Sequence, residues 1–543
     1  MRRLMLTALA LTTLAGVGAH VAPAAKPLCV GGPGCYPTLA AALGAATDGD
    51  TIHVGAGTFV GGVTILKSVH LVGVSAAASR ISGGGPVVTI GSTTAMPTVS
   101  IDNLTITGGV TTTDPRAPIC GPDNSCADGY PSATALGGGI EAFPGTTVML
   151  TRSAVTGNQA RPALTVPSAK AECASGPCPA SFGDAAGIDN WGAMTLVDST
   201  ISDNHAAGVQ SNGGGIVVEG GGSLSLQRSR VTGNSAAAIA PYGRFVSGGG
   251  IFVDSEASLS VESSSIDGNT VSLANSFASP FPKQGGNSDQ TSAIGGGVFL
   301  TDGSTAAIRN STLNGNAVAV NAPLGQPYGA DPALCACGDV ALTIDGSTID
   351  RNTMSVAVLS SDVNGQSGAT ALEADGPTAI SNTHVDWNSG TVTTTSGSAA
   401  ILGAVAFYPG SDALNTFSNG SISHNTATAV AKGADGTAMV SGVGLLNNGR
   451  LAVSGSAITG NRGVVTGAHG VAQGGGIWNG QLFGGSTSRL ALVDSLVADN
   501  ALVGDAKATL QGGGIWNQGG GDFTVTLSNS PVRHNTPDQT FGL

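Results

Sequence analysis

Charge, aromatic rings and long apolar runs are all scarce in this chain. Only 10% of its 543 residues are charged, and acids outnumber bases 34 to 21. That leaves no basic face for a nucleic-acid backbone or an anionic lipid surface, so neither is an expected partner. Past the first 25 residues no segment reaches the roughly 18 apolar residues of a membrane span. With 5 Tyr and 4 Trp, the chain also lacks the fixed Tyr and Trp offsets of a kelch-type propeller. No 3.6-residue apolar period occurs beyond residue 50, and 85 glycines weigh against helix. A left-handed hexapeptide helix would need a six-residue period, which is absent.

What is present begins with MRRLMLTALALTTLAGVGAHVAPAAK. Arg2 and Arg3, an apolar run and then small residues follow the layout of a secretory signal, with cleavage expected between Ala19 and Ala25. A secreted, extracellular location is the expectation. Eight cysteines fall in four close pairs: Cys29/Cys35, Cys120/Cys126, Cys173/Cys178 and Cys335/Cys337. In an exported chain the first three pairs read as local disulfides that pin loops. The two-residue offset of Cys335 and Cys337 leaves their pairing open. No second Cys or His pair lies at metal-ligand spacing, so no structural metal site is expected.

The rest of the chain repeats one sentence. Copies end at Asn158, Asn204, Asn234, Asn269, Asn316, Asn352, Asn388, Asn425, Asn461, Asn500 and Asn535. The frame is GGGI, a spacer, an apolar/polar alternation such as LSLQ, and then S-x-(V/I)-x-x-N. Only the stretch between Asn and the next glycine cluster changes length. A constant core with insertions at one point is solenoid behaviour, because each unit buries its apolar face only against the next. Segments such as TLVDSTI and LAVSGSAI alternate with period two, so the units are strands, about three per coil. Equivalent residues then stack at about 4.8 Å per coil. The recurrent Asn predicts an amide ladder, and the Ser or Thr five places before it a second one.

The entry segment YPTLAAALGAATDGDTIHVGAGTFVGGVTILKSVHLVGV offers a short helix over roughly Pro37–Ala46 and then strands. With its helix, GDTI-x-V, G-T-(F/Y) and K-S-V-x-L-x-G words, it resembles the opening of the pectin-lyase-like right-handed parallel β-helix superfamily. The GGGI and V-x-x-N words resemble the GGA-I and F-x-x-N motifs of chlamydial polymorphic membrane proteins. The resemblance implies an all-β right-handed parallel β-helix of about thirteen to fifteen coils with an N-terminal capping helix. The expected organisation is a signal over 1–25, cap and first coils over 26–110, repeats with long one-sided loops over 111–535, and a tail over 536–543. On function the superfamily is nearly silent, spanning lyases, hydrolases, esterases, adhesins and surface passengers.

The hydrolase words N-x-D, D-D, G-H-G and R-x-K are missing as a set, and so is the calcium-and-base constellation of a pectate lyase. Stacking supplies another search, because residues at one repeat position become spatial neighbours. It gathers Asp350, Arg351, His384, Asp386, Trp387 and His424 into one patch. Asp350 and Asp386 are candidate acid and base, or a calcium pair, with His384 or His424 as proton carrier. Arg351 would hold a uronate, and Trp387 would stack on a sugar. The competing reading is a solvated face on which Arg and His separate like-charged Asp. Trp478 and Trp516, just after GGGI, are further candidates for sugar stacking unless the insertions cover them. Acidic clusters in the insertions, such as Asp331 to Asp339, could bind calcium; no other cofactor is expected.

These readings favour a secreted protein that binds extracellular or cell-surface polysaccharide through its loop-rich face. The alternatives are a polysaccharide-cleaving lyase or glycoside hydrolase using the stacked Asp residues, and a structural surface scaffold. Which glycan is bound, and the oligomeric state, are not legible.

Overall fold

The computed structural model describes residues 27–112, 132–162, 180–238, 245–274, 290–322, 326–358, 365–407, 414–482 and 487–543. The signal segment and Cys120, Cys126, Cys173 and Cys178 lie outside them. No helix among the described residues is long and apolar enough to cross a membrane.

The chain is a right-handed parallel β-helix, as expected from the stacking argument. Every strand pairing is parallel and joins equivalent segments of consecutive coils, so two of the stem sheets run through 15 and 14 strands while another is split into stretches of 7 and 5. A full coil holds five strands, or four where the second is reduced to a single bridge, rather than the expected three. In one coil these are Ser223–Gln227, Arg230–Thr232, Ser235–Ala238, Phe245–Ser247 and Ile251–Val253. The first, second and fifth belong to three stem sheets around a common core. Alternation aims Leu224 and Leu226 inward, in register with Leu259 and Val261 of the next coil, and all four are buried.

The third and fourth strands lie within the variable stretches, whose described residues form regular strands. They build two 11-stranded sheets that face each other and project from the stem as a fin. The fin has its own core, with Val318, Val320, Met354 and Val356 from one sheet packed with Ile401, Ala438 and Val440 from the other. Small side chains suit so thin a sandwich, because two narrow sheets leave room for Ala and Val but little more.

At the N-terminal end Leu39–Ala45 forms a helix, here α1, whose Thr38 side chain caps it by accepting from Ala41 N. Leu39, Ala42 and Leu43 bury against the first rungs, so the helix closes the apolar end of the stem. Cys29 and Cys35 are disulfide-bonded beside it, as expected. Residues 536–543, expected as a tail, complete the last coil instead: Thr540 and Phe541 pair with Ile515 and Trp516.

The asparagine ladder is continuous. Asn234 donates from its backbone N to Asn269 Oδ1 at 3.1 Å, and from Nδ2 to the same oxygen at 3.0 Å and to Ile201 O at 3.0 Å. Its own Oδ1 accepts from Asn204 N and Nδ2 at 3.1 and 2.9 Å. Each buried amide therefore ties three coils together. At the start Gly109 N donates to Asn158 Oδ1. At the end, where no twelfth Asn exists, Gln539 Oε1 accepts from both Asn535 N and Asn535 Nδ2 at 3.1 Å. The serine ladder runs beside it from Ser153 to Thr383 and again from Ser456 to Ser530, interrupted at Gly420, which has no hydroxyl to offer.

Removing the Asn352 amide orphans two buried donors, Asn316 N and Nδ2, and the acceptor Leu313 O, so Asn352→Ala is expected to cost about 2–4 kcal/mol and Gln539→Ala, at a half-solvated end, about 1 kcal/mol. Chemical denaturation followed by circular dichroism measures both. A wild-type midpoint for Asn352→Ala would show that the ladder contributes no net stability.

Candidate functional site

The corner before each ladder Asn has a fixed backbone requirement. All eleven residues at that place have positive φ, from Gly157 (67°) and Asp203 (55°) to Asp499 (58°) and His534 (58°). Five copies meet it with glycine, the residue with no Cβ penalty there. Arg351 (56°), Trp387 (61°) and His424 (56°) meet it in three consecutive coils without that relief. A bulky residue in the left-handed region is uncommon enough to need a reason.

The six patch residues do come together. Asp386 N donates to Asp350 Oδ1 at 3.1 Å, so the two aspartates occupy adjacent rungs. Trp387 and His424 stack with ring centroids 4.3 Å apart and planes 8° from parallel. His384 Nδ1 lies 2.8 Å from Ser421 Oγ. Arg351, His384, Trp387 and His424 are exposed, and Trp387 keeps 55% of its surface in solvent.

The aspartates, however, serve the coil. Asp267, Asn314, Asp350 and Asp386 form a side-chain ladder in which each oxygen accepts the backbone N–H of the next rung. The second stem sheet is reduced to single bridges along the same rungs, Ser265 to Thr312 to Thr348 to His384, so side chains take over part of the pairing. Asp386 also accepts from Ser421 Oγ at 2.9 Å and Ser423 Oγ at 2.6 Å. The oxygens of Asp386 are thus engaged by hydroxyls and a backbone N–H of the next coil. Burial pushes the Asp350 carboxyl upward, against the lowering effect of the Asp386 N–H.

Trp478 and Trp516 do not form a surface. Trp478 is buried and Trp516 half-buried; their rings stack at 5.1 Å and 11°, in an apolar cluster with Leu446, Ala406 and Leu482. The expectation that Trp478 receives a sugar is thus corrected. The residue after GGGI points outward from the stem but into the angle where the fin joins it. Down that angle the register runs Glu141, Asp189, Val217, Phe252, Phe299, Cys335, Glu373, Ala406, Leu446, Trp478, Trp516. Sequence reasoning followed only the aromatic members of this ladder. Its acidic members were open to the same stacking search.

Two groups of buried acids result. In the first, burial raises Asp184 to about 7, opposed by the Asn212 N–H and reinforced by Asp189. In the second, burial raises Asp331, Glu373 (to about 8) and Asp375 (to about 6); repulsion from neighbouring carboxyls adds to it at Asp331 and Glu373, and the Gly338 N–H opposes it at Asp375. Cys335 and Cys337, bonded to each other, lie beside Asp331.

Residues 101–330 match the model of the right-handed beta helix region family. The match covers less than half of the chain, and the parallel sheets carry the same architecture through the other described residues. No curated protein matches the chain.

A carboxyl whose folded pKa is raised favours the fold while protonated. Its contribution is complete below the unfolded value of 3.8 and is lost as pH climbs through about 7 for Asp184. Stability should therefore fall across that window, and Asp184→Asn should flatten the fall by on the order of 2 kcal/mol. Thermal midpoints of both proteins across the window measure it; identical profiles would remove Asp184 as a contributor.

Proposed function

We propose that the protein is an exported glycan-binding β-helix whose contact surface is the exposed corner row Arg351, Trp387 and His424. The observation that carries this reading is Trp387. Its indole is 55% exposed, sits in a backbone conformation that glycine satisfies elsewhere in the stack, and is stacked face to face with an imidazole from the next coil. Aromatic steps of this kind receive the apolar faces of sugar rings. Arg351 on the neighbouring corner supplies a fixed positive charge suited to an acidic sugar, and His384 supplies a further polar contact. The Cys29–Cys35 disulfide supports an oxidising compartment. Asp386, engaged by serine hydroxyls, favours binding over the cleavage reading.

Trp387→Gly separates binding from folding, because glycine relieves the positive-φ strain. The variant should keep a thermal midpoint near the wild-type one while its binding to insoluble acidic polysaccharide weakens about tenfold, roughly one aromatic stacking contact. Pull-down isotherms, run beside reducing-sugar and unsaturated-product assays, measure both. Wild-type binding by Trp387→Gly would reject the surface, and turnover abolished by Asp386→Ala would replace this reading with the polysaccharide-cleaving one.

A further inference from the structure

The acids at Asp331, Glu373 and Asp375 are arranged against every local rule of this fold. Asp331 occupies the first position of the GGGI word, where glycine stands in Gly213, Gly248, Gly295, Gly442, Gly474 and Gly512, and it keeps their positive φ, 54°. A side chain at this position is aimed into the angle between fin and stem. A Cβ built on Gly137 would meet Glu141, on Gly248 would meet Phe252, and on Gly295 would meet Phe299. The equivalent neighbours of Asp331 are Cys335 in its own coil and Glu373 in the next, which are in register with each other.

The result is a group of neighbouring buried carboxyls with fewer donors than oxygens. Asp331 is 1% exposed, and neither of its oxygens has a hydrogen-bond partner. Its carboxyl meets that of Glu373, whose Oε2 is likewise buried and unpartnered. Asp375 accepts from Gly338 N at 3.0 Å through one oxygen, while its other oxygen is buried and unpartnered. No Lys, Arg or His among the described residues is ion-paired with any of the three. An isolated buried carboxylate is costly, and three sharing one place are more so unless a positive charge compensates.

We propose that Asp331, Glu373 and Asp375 form a binding site for a hard divalent cation, calcium, in the angle between fin and stem. Four unpartnered carboxyl oxygens from two coils match the all-oxygen preference of calcium. The sulfurs of Cys335 and Cys337 are bonded to each other, which removes the thiolates that would draw zinc. A first-position side chain at Gly213, Gly248, Gly295, Gly442, Gly474 or Gly512 would meet Val, Phe, Leu or Trp, and only at Gly137 would it meet acids, Glu141 and Asp189. The proposed site is separate from the exposed Trp387 corner and does not depend on the glycan reading.

The test is calorimetric titration of calcium chloride into the full chain after chelator treatment, with thermal midpoints recorded beside it. Calcium should bind at one site with Kd between about 10⁻⁶ and 10⁻³ M and raise the midpoint. Asp331→Gly restores the residue found in most coils, so it should fold; it should weaken calcium binding at least about tenfold and lose the calcium-dependent rise. Glu373→Gln should do the same with little change in volume. The proposal is overturned if wild type shows neither heat nor a shift at ~10 mM calcium, if both variants bind calcium as wild type does, or if zinc binds where calcium does not.

Discussion

One asparagine side chain per coil sets the terms for the rest of this molecule. The turn between the second stem sheet and the fin leaves a buried backbone N–H on each coil, and a buried donor without an acceptor is costly. The only acceptor in reach is the Oδ1 of the Asn directly above, whose Nδ2 must in turn find an oxygen in the coil beyond. The requirement passes from rung to rung, so a coil cannot change this residue alone. It can change only where something else supplies the oxygen, as Gln539 does at the last rung. Repetition in the sequence is the record of that constraint.

The same turn explains where variation collects. The ladder Asn is reached through a left-handed corner whose side chain must leave the stem, so the corner residue is free in chemistry but taxed in conformation. The strain is of order 1–2 kcal/mol for a residue with a Cβ. Glycine avoids it in five copies, and Asp tolerates it in two, because a short polar side chain can bond locally. Arg351, Trp387 and His424 accept it in succession, which places their surface chemistry outside what stacking alone would select.

Much of this was legible because the rule that builds the stem also writes the sequence. Aligning on Asn158 through Asn535 gave the coils, the two ladders and the adjacency of Asp350 with Asp386. The fin was not legible in the same way. Strands such as Ala317–Ala322 alternate plainly, but the strands of the other fin sheet, such as Gln326–Ala330 (QPYGA), carry no period-two apolar signal. Taken as loops, they hid the angle between fin and stem, and with it the burial of Trp478. The role of Asp386 was missed for a related reason: stacking predicts which side chains are neighbours, but not that a carboxylate will bond to the backbone of the next rung.

The angle between fin and stem differs from the stem core in one respect that bears on the buried acids. Inside the stem, neighbours in three sheets confine each position to apolar residues, whereas positions in the angle meet their own column and scattered residues of the fin and loops, such as Phe245 and Leu482. Columns there can change character over a single rung, from Phe299 to Cys335 to Glu373. An acidic cluster in this column is therefore compatible with the fold, provided that its charge is balanced locally. The two coils that contain it also contain Asp350, Arg351 and Trp387, joined to it through the strands Ala341–Asp345 and Thr378–Ser381. A charge that binds Asp331 to Glu373 and Asp375 would clamp one coil to the next at the place where the second stem sheet has given up regular pairing. The exposed corner row would then rest on two coils held together from the opposite side of that strand pair.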